Sequence, residues 1–149
     1  MSDQTEFIKA AYLRELAVRY AWTWIGTPYK WGGDDFSSFD CSGFIVEVLQ
    51  AVGKLQARDY SAHDLYTLFK PNVVALGYAG CLAFWLDSAG RAVHVMLLID
   101  NGHVIGATGG GSATLTEEDA KRQNAYVKMR NINYRRGTPV IIDPFKGVF

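Results

Sequence analysis

The chain has 149 residues, 49% apolar and 20% charged, and its 15 basic and 15 acidic side chains cancel. These figures describe one folded domain over residues 1–149 and exclude a disordered chain, which needs low hydrophobicity and high net charge. Zero net charge disfavours nucleic-acid binding through an overall positive field, two cysteines are too few for a disulfide framework, and no apolar run approaches the roughly 20 residues of a membrane span.

No Cys/His spacing supplies four zinc ligands, so neither a metal nor any other cofactor is expected. Met1, Ser2, Asp3 and Gln4 are polar or acidic where a secretion signal needs a basic and then an apolar stretch. The expectation is synthesis in the cytoplasm without export by that route, and Cys41 and Cys81 are read as free thiols. Charge is mildly split, net −2 over residues 1–75 and +2 over residues 76–149. Residues 121–136 hold six basic side chains and no acidic one, which reads as a solvated face near a sheet edge or as a surface for an anionic polymer.

Taken in order, Ile8, Ala11, Tyr12, Leu16, Tyr20, Ala21 and Trp24 recur at helical spacing and predict a helix over residues 6–25. Asp3 with Glu6 resembles a capping box, and Gly26 followed by Pro28 stops the helix. Residues 27–39 are rich in Gly, Pro, Asp and Ser and predict loop. A second helix is predicted from Asp40 to about Val52, buried through Phe44, Ile45, Val48, Leu49 and Val52 and closed by Gly53. A third starts at Ser61, with Asp64 reaching back, and ends before Pro71. Strands are predicted at 81–86 and 92–99, with Asn101 and Gly102 turning the chain into a return strand at 103–107. Gly109, Gly110 and Gly111 break that strand, a short helix starts at Thr116, and strands follow at 126–130 and 139–142. N-terminal helices packed on an antiparallel β-sheet make an α+β domain.

Cys41 carries the most information. It follows a helix-capping Asp40, so it sits where unpaired N–H groups and the helix dipole favour an anion. That position can lower a thiol's pKa and can receive an oxyanion formed at an attacked carbonyl. The bland alternative is a small buried cysteine. His94 interrupts an apolar strand, on the face of Ala92, Met96 and Leu98 if side chains alternate. It is either a core histidine with one hydrogen bond or a general base for the thiol.

Four stretches then occur in order: Gly26-Thr27-Pro28-Tyr29-Lys30-Trp31-Gly32-Gly33, Phe39-Asp40-Cys41-Ser42-Gly43-Phe44, Gly80-Cys81-Leu82-Ala83-Phe84-Trp85, and His94 through Gly102. Together they resemble the NlpC/P60 cysteine peptidases, over about two thirds of the chain. The resemblance implies a papain-like α+β core and hydrolysis of amide bonds in peptidoglycan stem peptides, usually between D-γ-glutamyl and the following diamino acid. It implies Cys41 as nucleophile and His94 as base. It places Tyr29 near the thiol, where its hydroxyl helps hold an oxyanion or a substrate carbonyl, and makes Asp40 and Ser42 the flanks of the motif. Trp31 is a substrate wall or a core plug.

The family also carries a polar third residue on the return strand, which orients the imidazole. Counting through the hairpin puts Gly106 there, and it has no side chain. His103 lies three residues earlier, and that odd offset turns it to the other face. Thr108, two residues on, a backbone carbonyl or a water is the substitute. Cys81 stands where the family carries Asp and is read as a packed thiol, and His63 as a surface or capping residue. The triple glycine allows close backbone approach or an unusual turn. Two other functions remain open: a silent domain that binds wall peptides or a protein partner, and a papain-like amidase or acyltransferase on another substrate. Delivery to the wall by a phage-type route is an analogy only.

Overall fold

The computed structural model describes residues 3–31, 34–35 and 38–147. Gly32 and Gly33 of the aromatic-Gly-Gly motif lie outside the described residues, as do Met1 and Ser2. Helix α1 (Asp3–Trp22) begins and ends three residues before the predicted span. Its buried stripe is Ala10, Ala17 and Ala21, with Leu13 and Trp24 packed beside them. Ile8 and Tyr12, predicted to face inward, are exposed. The helix is apolar on more than one side, so periodicity alone selects no single stripe. Alanines seven and four positions apart let its backbone lie close to the core, which larger side chains would prevent.

The stretch predicted as loop contains two very short antiparallel strands, β1 (Asp34–Asp35) and β2 (Ser38–Phe39). Helix α2 (Cys41–Ala51) follows, capped by Asp40. Gly53, at φ +79°, takes the left-handed conformation that ends it, as its position after the last apolar residue predicts. Helix α3 (Ala62–Phe69) carries the predicted capping box. The Asp64 N–H donates to Ser61 Oγ at 3.0 Å, and the Ser61 N–H donates to Asp64 Oδ2 at 2.9 Å.

Five strands form one antiparallel sheet: β3 (Leu82–Leu86), β4 (Ala92–Leu98), β5 (His103–Thr108), β6 (Tyr126–Asn131) and β7 (Val140–Ile142). Their order is β6-β5-β4-β3-β7. Helix α4 (Glu117–Gln123), capped by Thr116, connects β5 to β6. One face of the sheet packs through Phe84, Val95, Leu97 and Ile105 on α1, α2 and α3. The other buries Ala83, Trp85, Met96, Leu98 and Val104 under Val74, Ile132, Tyr134 and Ile141. Burial on both faces explains why these strands read as continuous apolar runs.

The β4–β5 hairpin forms where predicted, but neither Asn101 nor Gly102 has a positive φ. Asp100 organises the turn instead. Its carboxylate accepts from the Gly102 N–H at 2.8 Å and pairs with His103 Nδ1 at 3.0 Å. On the helix side, buried Asp143 after β7 accepts from Arg14 Nη1 of α1 at 2.8 Å and from Tyr78 Oη at 2.6 Å. Among the described residues, no helix is long and apolar enough to cross a membrane.

Candidate active site

A cavity of about 400 Å³ opens at one end of the sheet, lined by the start of α2, the start of α3, the beginning of β4, the end of β5 and Arg135. Cys41 lines it from the first turn of α2. The Asp40 carboxylate caps that turn, accepting from the Gly43 N–H at 2.7 Å and from Ser42 Oγ at 3.4 Å. The capping bond fixes where the helix begins and hence where the sulfur stands. Asp40→Ala is expected to cost about 1 kcal/mol of stability, read as a lower urea midpoint. Asp40→Asn, which keeps an acceptor oxygen, should recover most of that loss.

His94 lines the same cavity from β4. The simple alternation that groups it with Ala92 is interrupted. Trp85 pairs with His94 but Leu86 pairs with Ala92, so Val93 is an extra residue in β4. Ala92 consequently packs on the helix side, whereas His94 shares a face with Met96 and Leu98. A bulge of this kind re-aims a side chain at a sheet end. The imidazole packs against Trp85, ring centroids 5.4 Å apart, and its Nε2 lies 2.7 Å from Tyr134 Oη.

Burial dominates the charges here. It pushes the Cys41 thiol up to about 11, helped by the Asp40 carboxylate and opposed by hydrogen bonds with the Val95 and Ser42 backbone and by Arg135. Burial, with Arg135, drives His94 down to about 3. Cys41 is half-buried, and that burial opposes the helix position and favours the neutral thiol. At neutral pH the uncharged thiol and uncharged imidazole are the favoured forms.

Tyr29 is buried and also lines the cavity. Burial, with Cys41 and Asp40 nearby, raises its pKa and keeps the phenol protonated as a donor. Its ring explains one of the three glycines, since a Cβ on Gly110 would overlap it, while Gly109 takes a left-handed φ of +92°. Trp31 is exposed and forms part of the rim. His63, predicted to be a surface or capping residue, lines the cavity and accepts from the Ala92 N–H through Nδ1 at 3.1 Å, tying α3 to the bulged end of β4. Cys81 is fully buried on the sheet's far face.

The third-position candidates separate clearly. Leu97 pairs with Ile105 and Leu98 with Val104, and continuing that register sets Gly106 against Met96 and Thr108 level with His94. A Cβ at Gly106 would lie 2.6 Å from Met96 Sδ, so a side chain there requires the Met96 thioether to move. His103 stands at the hairpin, bound to Asp100. Thr108 is buried and lines the cavity, and its Oγ1 donates to Tyr134 Oη at 3.2 Å. Sequence reasoning missed Tyr134, which no local motif marks.

A family model described as the NlpC/P60 family matches residues 26–136. The chain belongs to the NlpC/P60 family. It is 40% identical over 93 residues to Protein P54 of Enterococcus faecium, covering 60% of this chain and 17% of P54. It is 31% identical over 115 residues to the probable peptidoglycan endopeptidase LytE of Bacillus subtilis, covering 75% of this chain and 31% of LytE. The chain thus spans less than a third of the length of these two curated relatives. The crystal structure of the NlpC/p60 domain of peptidoglycan hydrolase SagA matches with a TM-score of 0.63 at 27% identity, covering 87% of this chain and 97% of that domain. Helices on a five-stranded antiparallel sheet are therefore an NlpC/P60 architecture, as the α+β reading of the sequence expects.

Proposed function

We propose that this NlpC/P60 domain is a peptidoglycan endopeptidase that cleaves stem-peptide amide bonds through an acyl-enzyme on Cys41. The observation that carries the reading is that Cys41, at a helix N-terminus, and His94, buried and neutral, open on one cavity. Family membership and the likeness to LytE, a probable peptidoglycan endopeptidase, support it. In the reaction, the Cys41 thiol gives its proton to His94 as sulfur bonds to the substrate carbonyl carbon. Negative charge moves to the carbonyl oxygen, where N–H groups at the start of α2 and the Tyr29 hydroxyl are the nearby donors. The C–N bond breaks, and His94 passes its proton to the departing amine. Water then gives a proton to His94 and attacks the thioester carbon. The carboxylic acid leaves, and the sulfur recovers the proton.

Arg91 and Arg135 line the same cavity and suit a peptide bearing free carboxylates. The favoured bond is that between D-γ-glutamyl and the diamino acid, and such a substrate places the action at the cell wall. Mass spectrometry of purified peptidoglycan digested by the protein tests this. The expected products are glycan-linked L-Ala-D-Glu and a peptide with a new amino terminus on the diamino acid. Digestion that yields only sugar-chain fragments, or none at all, would refute the reading.

A further inference from the structure

We propose that Tyr134 is the positioning residue of His94, taking the place that the return strand leaves empty at Gly106. The inference rests on the Cys41–His94 reading and goes beyond it by assigning the imidazole's partner. Tyr134 Oη lies 2.7 Å from His94 Nε2, and with that nitrogen engaged the thiol proton is assigned to Nδ1. In the imidazolium both ring nitrogens are donors, and Oη is the acceptor that Nε2–H meets. Thr108 Oγ1 donates to the same oxygen at 3.2 Å, and Oη retains a lone pair for the imidazole.

The phenol is held as firmly as a positioning role requires. Its ring packs edge-on against Trp85 at 6.0 Å, and Trp85 also packs on His94. The Arg130 guanidinium covers the ring at 4.4 Å. Tyr134 closes the turn Ile132–Tyr134 after β6, which is anchored by the Ile132 N–H donating to Gly102 O at 2.9 Å and by the Asn133 N–H donating to Asn131 Oδ1 at 2.9 Å. Burial keeps Tyr134 protonated and neutral. It therefore orients the ring without drawing a proton from it, as a neutral hydrogen-bond partner fixes a histidine tautomer.

Nitrogen-15 NMR of histidine-labelled protein reads which ring nitrogen of His94 carries the proton. The chain's three histidines are few enough to assign by single substitution at His63 and His103. Wild type is expected to hold the Nε2–H tautomer, and Tyr134→Phe to shift the population toward Nδ1–H. In parallel, Tyr134→Phe should lower kcat on muropeptides on the order of 10–100-fold with KM within about twofold, as loss of an orienting partner does elsewhere. Thr108→Val should change both readouts in the same direction by less, and Thr108→Ser should restore them. If Tyr134→Phe does not fold, Thr108→Val and Thr108→Ser carry the same two measurements. An Nδ1–H tautomer in wild type, an unchanged tautomer in the variants, or a fall in kcat without a change of tautomer would each overturn the proposal. The tautomer needs no substrate, so this failure is distinct from failure of the catalytic reading, which an active Cys41→Ala would reveal.

Discussion

Cys41→Ala is expected to lose muropeptide cleavage by on the order of 10⁴-fold or more while remaining folded, because removing a nucleophile removes the covalent route itself. The fold should survive. The Asp40 cap bonds the Gly43 N–H rather than Cys41, and alanine is the better helix former. A change in stability within about 1 kcal/mol is the expectation for so small a substitution in the first turn of α2. Cys41→Ser should be nearly as inactive, although it is almost isosteric. The site already holds a thiol up to about 11 by burial, and an alkoxide in that surrounding is harder still to form. The pH profile follows from the same burial. With His94 driven down to about 3 and the Cys41 thiol pushed up to about 11, both groups are predominantly neutral across the middle of the pH range. kcat/KM should therefore stay flat across the neutral range. Its acid limb should lie well below the imidazole's usual value of about 6.5. Cleavage kinetics from acid to alkaline pH with a purified muropeptide measure it, and an acid limb at the ordinary imidazole value would contradict the neutral pair.

The features legible in the sequence are those written within a few residues of one another. Asp40 before an apolar run, Gly53 after it, and Ser61 with Asp64 each specify a helix end through a local hydrogen bond or a backbone preference, and the structure places them as read. The place of Cys41 in the first turn of α2 is legible for the same reason, since the cap beside it sets where the helix starts, whereas the burial that raises its pKa comes from distant elements. The surroundings of His94 are not legible in this way, because they depend on register. One extra residue, Val93, reverses which face follows Ala92, and nothing in Ala92-Val93-His94 announces a bulge. Counting residues through the hairpin put the third position at Gly106. Pairing instead sets Gly106 against Met96, and Thr108 reaches the imidazole only through Tyr134. Tyr134 lies 40 residues beyond His94, in a turn whose position is fixed by the last sheet strands and not by any nearby pattern. The predicted face of α1 failed for a related reason: where several faces are apolar, the neighbours choose which is buried.

Asp143→Ala is expected to be the most destabilising of these substitutions, by about 3–5 kcal/mol, since it removes one partner of a buried ion pair and leaves the other uncompensated. The Asp143 side chain is 1% exposed and that of Arg14 is 16% exposed, so water cannot readily replace the lost contact. Three donors converge on this carboxylate: Arg14 Nη1 at 2.8 Å, Tyr78 Oη at 2.6 Å and the Phe145 N–H at 2.9 Å. The Arg14 guanidinium also lies 5.3 Å from the centre of the Tyr78 ring, so the three side chains form one unit linking α1 to the chain beyond β7. Asp143→Asn keeps an acceptor oxygen but loses the charge, and should cost less than alanine. Replacing Arg14 and Asp143 together by Met and Leu should recover part of the loss, because no isolated charge is then buried. Urea unfolding of the four proteins at neutral pH measures the series. A loss below about 1 kcal/mol in Asp143→Ala would mean that the cluster contributes no more than an exposed ion pair. Asp143 lies outside the cavity lining, so the folded fraction of each variant should cleave muropeptides at the wild-type rate. That comparison separates the residues that hold the domain together from Cys41, whose substitution should silence a protein that still melts close to wild type.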